Sequence, residues 1–119
     1  MNDTIRLIRD YLEAVHGEPD GPARARRLLA DDLEYVDPLM TARDADDLIR
    51  QIEQAGGGAE TRIEAVVGEG GVGAALTFFR MPGAEPIAFT QWFRIEDGKI
   101  ASIRTIYDPR PFLEMMGGS

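Results

Sequence analysis

A chain of 119 residues with 44% apolar and 29% charged side chains has the size and mixture of one compact domain, residues 1–119, that can bury a core. Its 21 acidic and 13 basic residues give a net charge of −8, a field that repels phosphate backbones and anionic bilayers, so neither nucleic acid nor a membrane is an expected partner. With no cysteine and His16 as the only histidine, disulfides and thiolate metal sites are excluded, zinc centres and Ser-His-Asp catalysis lose their usual parts, and no metal or other cofactor is expected.

Any chemistry therefore falls to carboxylates, tyrosines and amides. The opening MNDTIRLIRDYLEAV is charged and amphipathic, unlike a secretory signal or a membrane span, and a cytoplasmic protein is the expectation. Twelve of the thirteen basic residues are arginine, which hints at a GC-rich bacterial genome.

Ile5, Ile8, Leu12 and Val15 recur at helical spacing, with Leu7 and Tyr11 widening the stripe, so a first helix runs from Thr4 to Val15 with Tyr11 toward its buried face. His16, at its end, is read as a favourable contact with the helix dipole. PARARRLLADD predicts a short second helix opened at Pro22 and closed by Asp31 and Asp32. LEYVDP then predicts a strand, and TARDADDLIRQIEQ a third helix with Leu48, Ile49 and Ile52 on its apolar edge.

The second half changes period. TRIEAVVGEG, GVGAALTFFRMPG, EPIAFTQWFRIEDG and KIASIRTIY are four extended runs parted by Gly-rich or Asp-Gly turns, an antiparallel meander. The fold class is therefore α+β: a curved, mostly antiparallel sheet shaped as a cone, with three helices from the N-terminal half over its concave face and an apolar cavity between them. DPRPFLEMMGGS ends the chain as a last turn that caps the sheet or a partner.

Within LEYVDPLM, period two puts Leu33, Tyr35 and Asp37 on one face. An aspartate before proline is an ordinary strand-exit turn. It is also a carboxylate in apolar company, and the same stretch supports both readings.

The order of elements, with YLEAVHGEPDGPARARRLLADDLEYVDP near one end and QWFRIEDGKIASIRTIYDPRP near the other, resembles the nuclear-transport-factor-2-like superfamily in its SnoaL-like and ketosteroid isomerase-like branch. The resemblance covers nearly the whole chain and speaks to fold more than to reaction. It implies a general base at Asp37, in ADDLEYVDP, and a hydrogen-bond donor at Tyr11, in RDYLEAV. Where such isomerases carry a protonated acid two residues before the Phe-Arg of the next-to-last strand, this chain has Gln91, whose amide N–H groups can still polarise a carbonyl. SnoaL-type aldol cyclases resemble the chain in fold, but they use a histidine and an aspartate where it offers Gln91 and about Thr105.

The expected cavity walls are Tyr35, Phe78, Phe89, Phe93 and Tyr107, enclosing Asp37. The implied reaction is proton transfer on a hydrophobic oxygenated molecule of polyketide, terpenoid or steroid-like type. A second reading pairs Asp37 with an acidic partner such as Glu64, as in polyether epoxide hydrolases of the same superfamily. Alternation in TRIEAVV nonetheless puts Ile63, Ala65 and Val67 on one face and turns Glu64 outward. A third reading is a non-catalytic module for an apolar ligand. Asp108 before Pro109 repeats the turn signature, and Trp92, Arg94, Arg104 and Ile106 share the convex face, which suits a homodimer.

Overall fold

The computed structural model describes residues 2–15, 17, 20–55 and 59–117, so His16 lies outside the described residues. Helices α1 (Asp3–Val15), α2 (Gly21–Arg26) and α3 (Ala45–Ala55) come from the N-terminal half, with strands β1 (Leu29–Val36) and β2 (Thr41–Ala42) between α2 and α3. Strands β3 (Glu60–Glu69), β4 (Val72–Arg80), β5 (Ile87–Glu96) and β6 (Lys99–Ile106) form the meander, and α4 (Arg110–Gly117) follows. One six-stranded sheet has the order β2-β1-β6-β5-β4-β3, antiparallel except for the β1–β6 pair. It is curved and unclosed, the α+β architecture expected from the sequence.

The first helix buries the stripe its spacing predicts: Ile8, Tyr11, Leu12 and Val15 are all inside. Gly73 lets this helix approach β4 closely, since a Cβ there would stand 2.4 Å from the Ile8 side chain and 2.8 Å from the Val67 carbonyl oxygen. The β5–β6 turn is Asp97-Gly98, both at positive φ, the geometry that aligns a two-residue hairpin with the strand twist. The core gathers Leu33, Leu48, Phe93, Ile100 and Ile103 between helices and concave face.

Two local expectations change. The second helix stops at Arg26, and Leu29 to Asp32 join β1, because Leu29 pairs with Ile100 of β6 and takes its burial from the sheet. In β3 the register slips between Ile63 and Ala65, and this bulge turns Val66 toward the core and leaves Ala65 and Val67 exposed, against strict alternation. Among the described residues no helix is long and apolar enough to cross a membrane.

Candidate functional site

The hairpin between β1 and β2 places the aspartate. Tyr35 pairs with Ala42 and Val36 with Thr41, and the Asp37 N–H donates to the Met40 carbonyl at 2.9 Å. Asp37 Oδ1 accepts the Leu39 and Met40 backbone N–H groups at 2.7 and 2.9 Å, which is the turn its sequence position predicts. The same carboxylate also meets two phenols: Tyr35 donates to Oδ2 at 2.7 Å, and Tyr107 to Oδ1 at 3.4 Å. The turn and the site are thus one structure.

Behind Tyr35 the sheet and helices enclose a cavity of about 170 Å³. Tyr11, Leu12 and Val15 of α1, Leu48 and Ile52 of α3, and Met40 supply much of its helical and loop wall. The sheet contributes one polar side chain from each of four adjacent strands: Thr61, Thr77, Gln91 and Thr105. Phe79 and Phe89 line it too. Among the described residues none that lines it is charged. The Gln91 amide donates to the Thr77 hydroxyl at 3.3 Å, which occupies one of its two N–H donors.

The phenols are held neutral. Burial pushes the Tyr11 hydroxyl well above the ordinary tyrosine range, and no partner for it exists among the described residues. Burial also pushes Tyr35 up strongly; the nearby Thr105 hydroxyl opposes this, while the Asp37 charge adds to it. Among the described residues that Thr105 hydroxyl has no hydrogen-bond partner at ordinary length. Tyr107 is pushed up to about 12, first by burial and then by the Asp37 carboxylate. All three remain donors at any ordinary pH.

Of the residues singled out from sequence, Tyr11, Tyr35, Phe89 and Gln91 line the cavity. Asp37 stands at its rim behind the Tyr35 hydroxyl and is not part of the wall. Phe93 is buried on the same strand face as Gln91, but it closes the inner end by packing edge-on to Tyr11, with centroids 6.1 Å apart. Tyr107 lies outside the wall, stacked on Phe89 at 4.3 Å.

Phe78 is a correction. The inward residues of β4 are Ala75, Thr77 and Phe79, so Phe78 faces the other side, where the Arg62 guanidinium lies 4.8 Å from its ring centre. Glu64 pairs with Arg62 and does not line the cavity. Sequence reading missed Phe79, Thr77, Thr61 and Gln51; period two counted from buried Ala75 would have found the first two. It also missed the role of Phe112 in α4, which packs on Phe79, Phe89 and Tyr107. Asp108 is a turn residue, its carboxylate drawn down to about 2 by hydrogen bonds from Arg110.

A curved sheet with three helices over an uncharged cavity can be compared with known proteins. The family model of the SnoaL-like domain matches residues 8–103. The chain belongs to the SnoaL-like family. No curated protein matches it significantly. Among solved structures, this SnoaL-like chain is similar to an NTF2-like protein of unknown function from Cytophaga hutchinsonii ATCC 33406, with a TM-score of 0.80 and 20% identity over 96% of this chain and 98% of that one. A candidate ketosteroid isomerase from Kribbella flavida DSM 17836 gives a TM-score of 0.81 and 18% identity over 89% of this chain and 78% of that one.

An LEH-like epoxide hydrolase from M. tuberculosis gives 0.75 and 18% identity over 98% and 97% of the two chains. At such identities the likeness establishes the SnoaL-like, NTF2-like fold and leaves the reaction to the site. Among the described residues no cluster of three or more His, Cys, Asp or Glu is placed to hold a metal ion.

Proposed function

We propose that this SnoaL-like protein transfers a proton between carbons of a small, apolar, oxygenated molecule, with Asp37 as general base and Tyr11 and Gln91 as hydrogen-bond donors. The observation that carries the reading is the pairing of two uncommitted donors with a carboxylate at the rim: the Tyr11 hydroxyl and one Gln91 N–H open into the cavity, one phenol away from Asp37. In an unconjugated enone the base would remove the proton from the carbon between carbonyl and alkene. The donors would stabilise the dienolate oxygen, and the proton would return at the far alkene carbon to give the conjugated isomer. The low polarity of the wall strengthens such donors.

A ligand-binding module without chemistry is the second reading. It is favoured by the saturation of Asp37, whose two oxygens already accept four hydrogen bonds. Epoxide opening needs a second acid inside the cavity, and among the described residues neither Glu64 nor any other carboxylate lines it. The convex surface around Trp92 and Ile106, 51% and 53% exposed, is proposed as the contact between two copies of the chain.

The test is the conversion of unconjugated ketones of one to four rings into conjugated isomers, followed by absorbance in wild type, Asp37→Asn and Gln91→Asp. Activity in wild type, its loss in Asp37→Asn and a gain in Gln91→Asp support the enzyme. The gain is expected because a carboxyl in this setting would stay neutral and donate more strongly than an amide. An unchanged rate in Asp37→Asn removes the base.

A further inference from the structure

Asp37 is the base of the proposed reaction, yet Tyr35 lines the cavity and the carboxylate stands behind it. The four donors around Asp37 are unevenly shared. Oδ1 accepts the Leu39 and Met40 N–H groups and the Tyr107 hydroxyl, whereas Oδ2 accepts the Tyr35 hydroxyl alone, at 2.7 Å. With Oδ1 crowded by three donors, Oδ2 is the oxygen left to take a proton, and it faces a phenol.

Tyr35 is placed to bridge the carboxylate and the cavity. Burial is the first influence on its hydroxyl, which also feels Thr105, Asp37 and Tyr11. Thr105 and Tyr11 line the cavity while Asp37 stands at its rim, so the Tyr35 oxygen sits where wall and rim meet. Its O–H is spent on Asp37, and among the described residues its lone pairs accept no hydrogen bond. A buried phenol cannot hold a negative charge cheaply, but its oxygen can take one proton as it gives another.

We infer that Tyr35 is the group that meets the substrate carbon and that it relays the proton to Asp37. The relay deepens the proton-transfer reading and rests on it. As the C–H bond between carbonyl and alkene breaks, its proton bonds to Tyr35 Oη, and the proton that Tyr35 held passes to Asp37 Oδ2. The electron pair of the C–H bond enters the dienolate, whose oxygen takes hydrogen bonds from Tyr11 and Gln91. Negative charge moves from carboxylate to dienolate, and the phenol is neutral before and after. In the return step Tyr35 protonates the far alkene carbon and recovers a proton from Asp37.

Two substitutions separate a relay from a phenol that only steadies the carboxylate. Tyr35→Phe and Tyr107→Phe each remove one phenolic donor from Asp37, but of the two only Tyr35 lines the cavity. With the β,γ-unsaturated isomer of cyclohexenone and a β,γ-unsaturated steroid ketone as probes, folded Tyr35→Phe should lose about 10²–10⁴-fold in rate, as Asp37→Asn does. Tyr107→Phe should raise the rate slightly, because a carboxylate with one donor fewer holds its charge less well. A measurement on wild type covers the case in which Tyr35→Phe does not fold. With a substrate deuterated at the carbon that loses its proton, heavy water should slow the reaction further, since an exchangeable O–H moves in the same step. A folded Tyr35→Phe as active as wild type, equal losses in the two phenol variants, or a rate slowed by the substrate's deuterium yet indifferent to heavy water overturns the relay. Any of these beside an inactive Asp37→Asn leaves Asp37 as the direct base, whereas a wild type inert toward both probes removes the proton-transfer reading and the relay with it.

Discussion

At the inner end of the cavity Tyr11 packs edge-on to Phe93 and its hydroxyl has no partner among the described residues, whereas at the mouth Asp37 takes hydrogen bonds from two phenols and two backbone N–H groups. Both ends are built around tyrosine. Their difference lies in what the backbone supplies. The inner end is regular helix and strand, whose N–H groups are spent on their own ladders, so side-chain hydroxyls there wait for an occupant. The mouth is a tight turn, whose free N–H groups fix a carboxylate in place before any ligand arrives. A preorganised charge at the rim and unsatisfied donors inside form a division of labour that substitutions can break.

The largest effect is expected from Asp37→Asn. Its retained Oδ1 can still accept the two turn N–H groups, so the hairpin should persist while turnover falls about 10²–10⁴-fold, the usual worth of a positioned base; steady-state rates beside a thermal melt check both halves. Loss of fold together with activity would make Asp37 a turn residue only.

Next come the two aromatic caps. Phe93→Ala at the closed end should cost about 3–5 kcal/mol, because a fully buried ring leaves a void that the β5–β6 core cannot collapse into. Phe112→Ala at the mouth should cost at most about half of that, since its ring is only half-buried and α4 lies at the edge of the structure. Urea unfolding compares them, and equal costs would erase the distinction between a packed end and an open one.

A smaller pair of effects should differ in sign. Tyr35→Phe deletes a hydrogen bond to a charged acceptor and should lose about 1.5–3 kcal/mol. Thr105→Val deletes a buried hydroxyl that has no partner among the described residues and should gain about 1 kcal/mol. The midpoints of urea curves for the two single mutants show whether removing an oxygen harms the mouth and helps the interior.

The smallest expected effect is a spectroscopic null. All three tyrosines lie above the ordinary value of 10.0, Tyr107 at about 12 and the other two higher. Their neutral forms therefore favour the fold, in full below pH about 10, and that contribution is lost as pH rises through about 12, where Tyr107 ionises. Phenolate absorbance should stay flat through pH about 10, at which free tyrosines are half ionised, and rise only as near-ultraviolet circular dichroism reports unfolding. A titration step near pH 10 in the folded protein would expose at least one of the phenols.

The helices α1 and α3 and the four strands of the meander were legible because local patterns carry them: Ile8 to Val15 and Leu48 to Ile52 repeat at helical spacing, and Asp97-Gly98 announces its own turn. Tyr11 and Gln91 became candidates through the resemblance to ketosteroid isomerase-like proteins, and their places on a helix stripe and a strand face agreed with it. Phe78 and Phe79 defeated the pattern because adjacent phenylalanines look equally apolar, and only the register of β4 against β3 and β5 chooses between them.

What the sequence by itself determined was the ordering of the main helices and strands, the turn at Asp37 and a composition without cysteine and with one histidine, because each depends on residue type and near neighbours alone. The tertiary structure decided the rest. Strand register at the β3 bulge turned Val66 inward and Val67 outward, the chain return of β6 brought Tyr107 to Asp37, and closure by α1 left the Thr61 and Thr105 hydroxyls without partners among the described residues. These are contacts between residues far apart in the chain, and no local periodicity encodes which side of a strand meets them or whether the space between is filled.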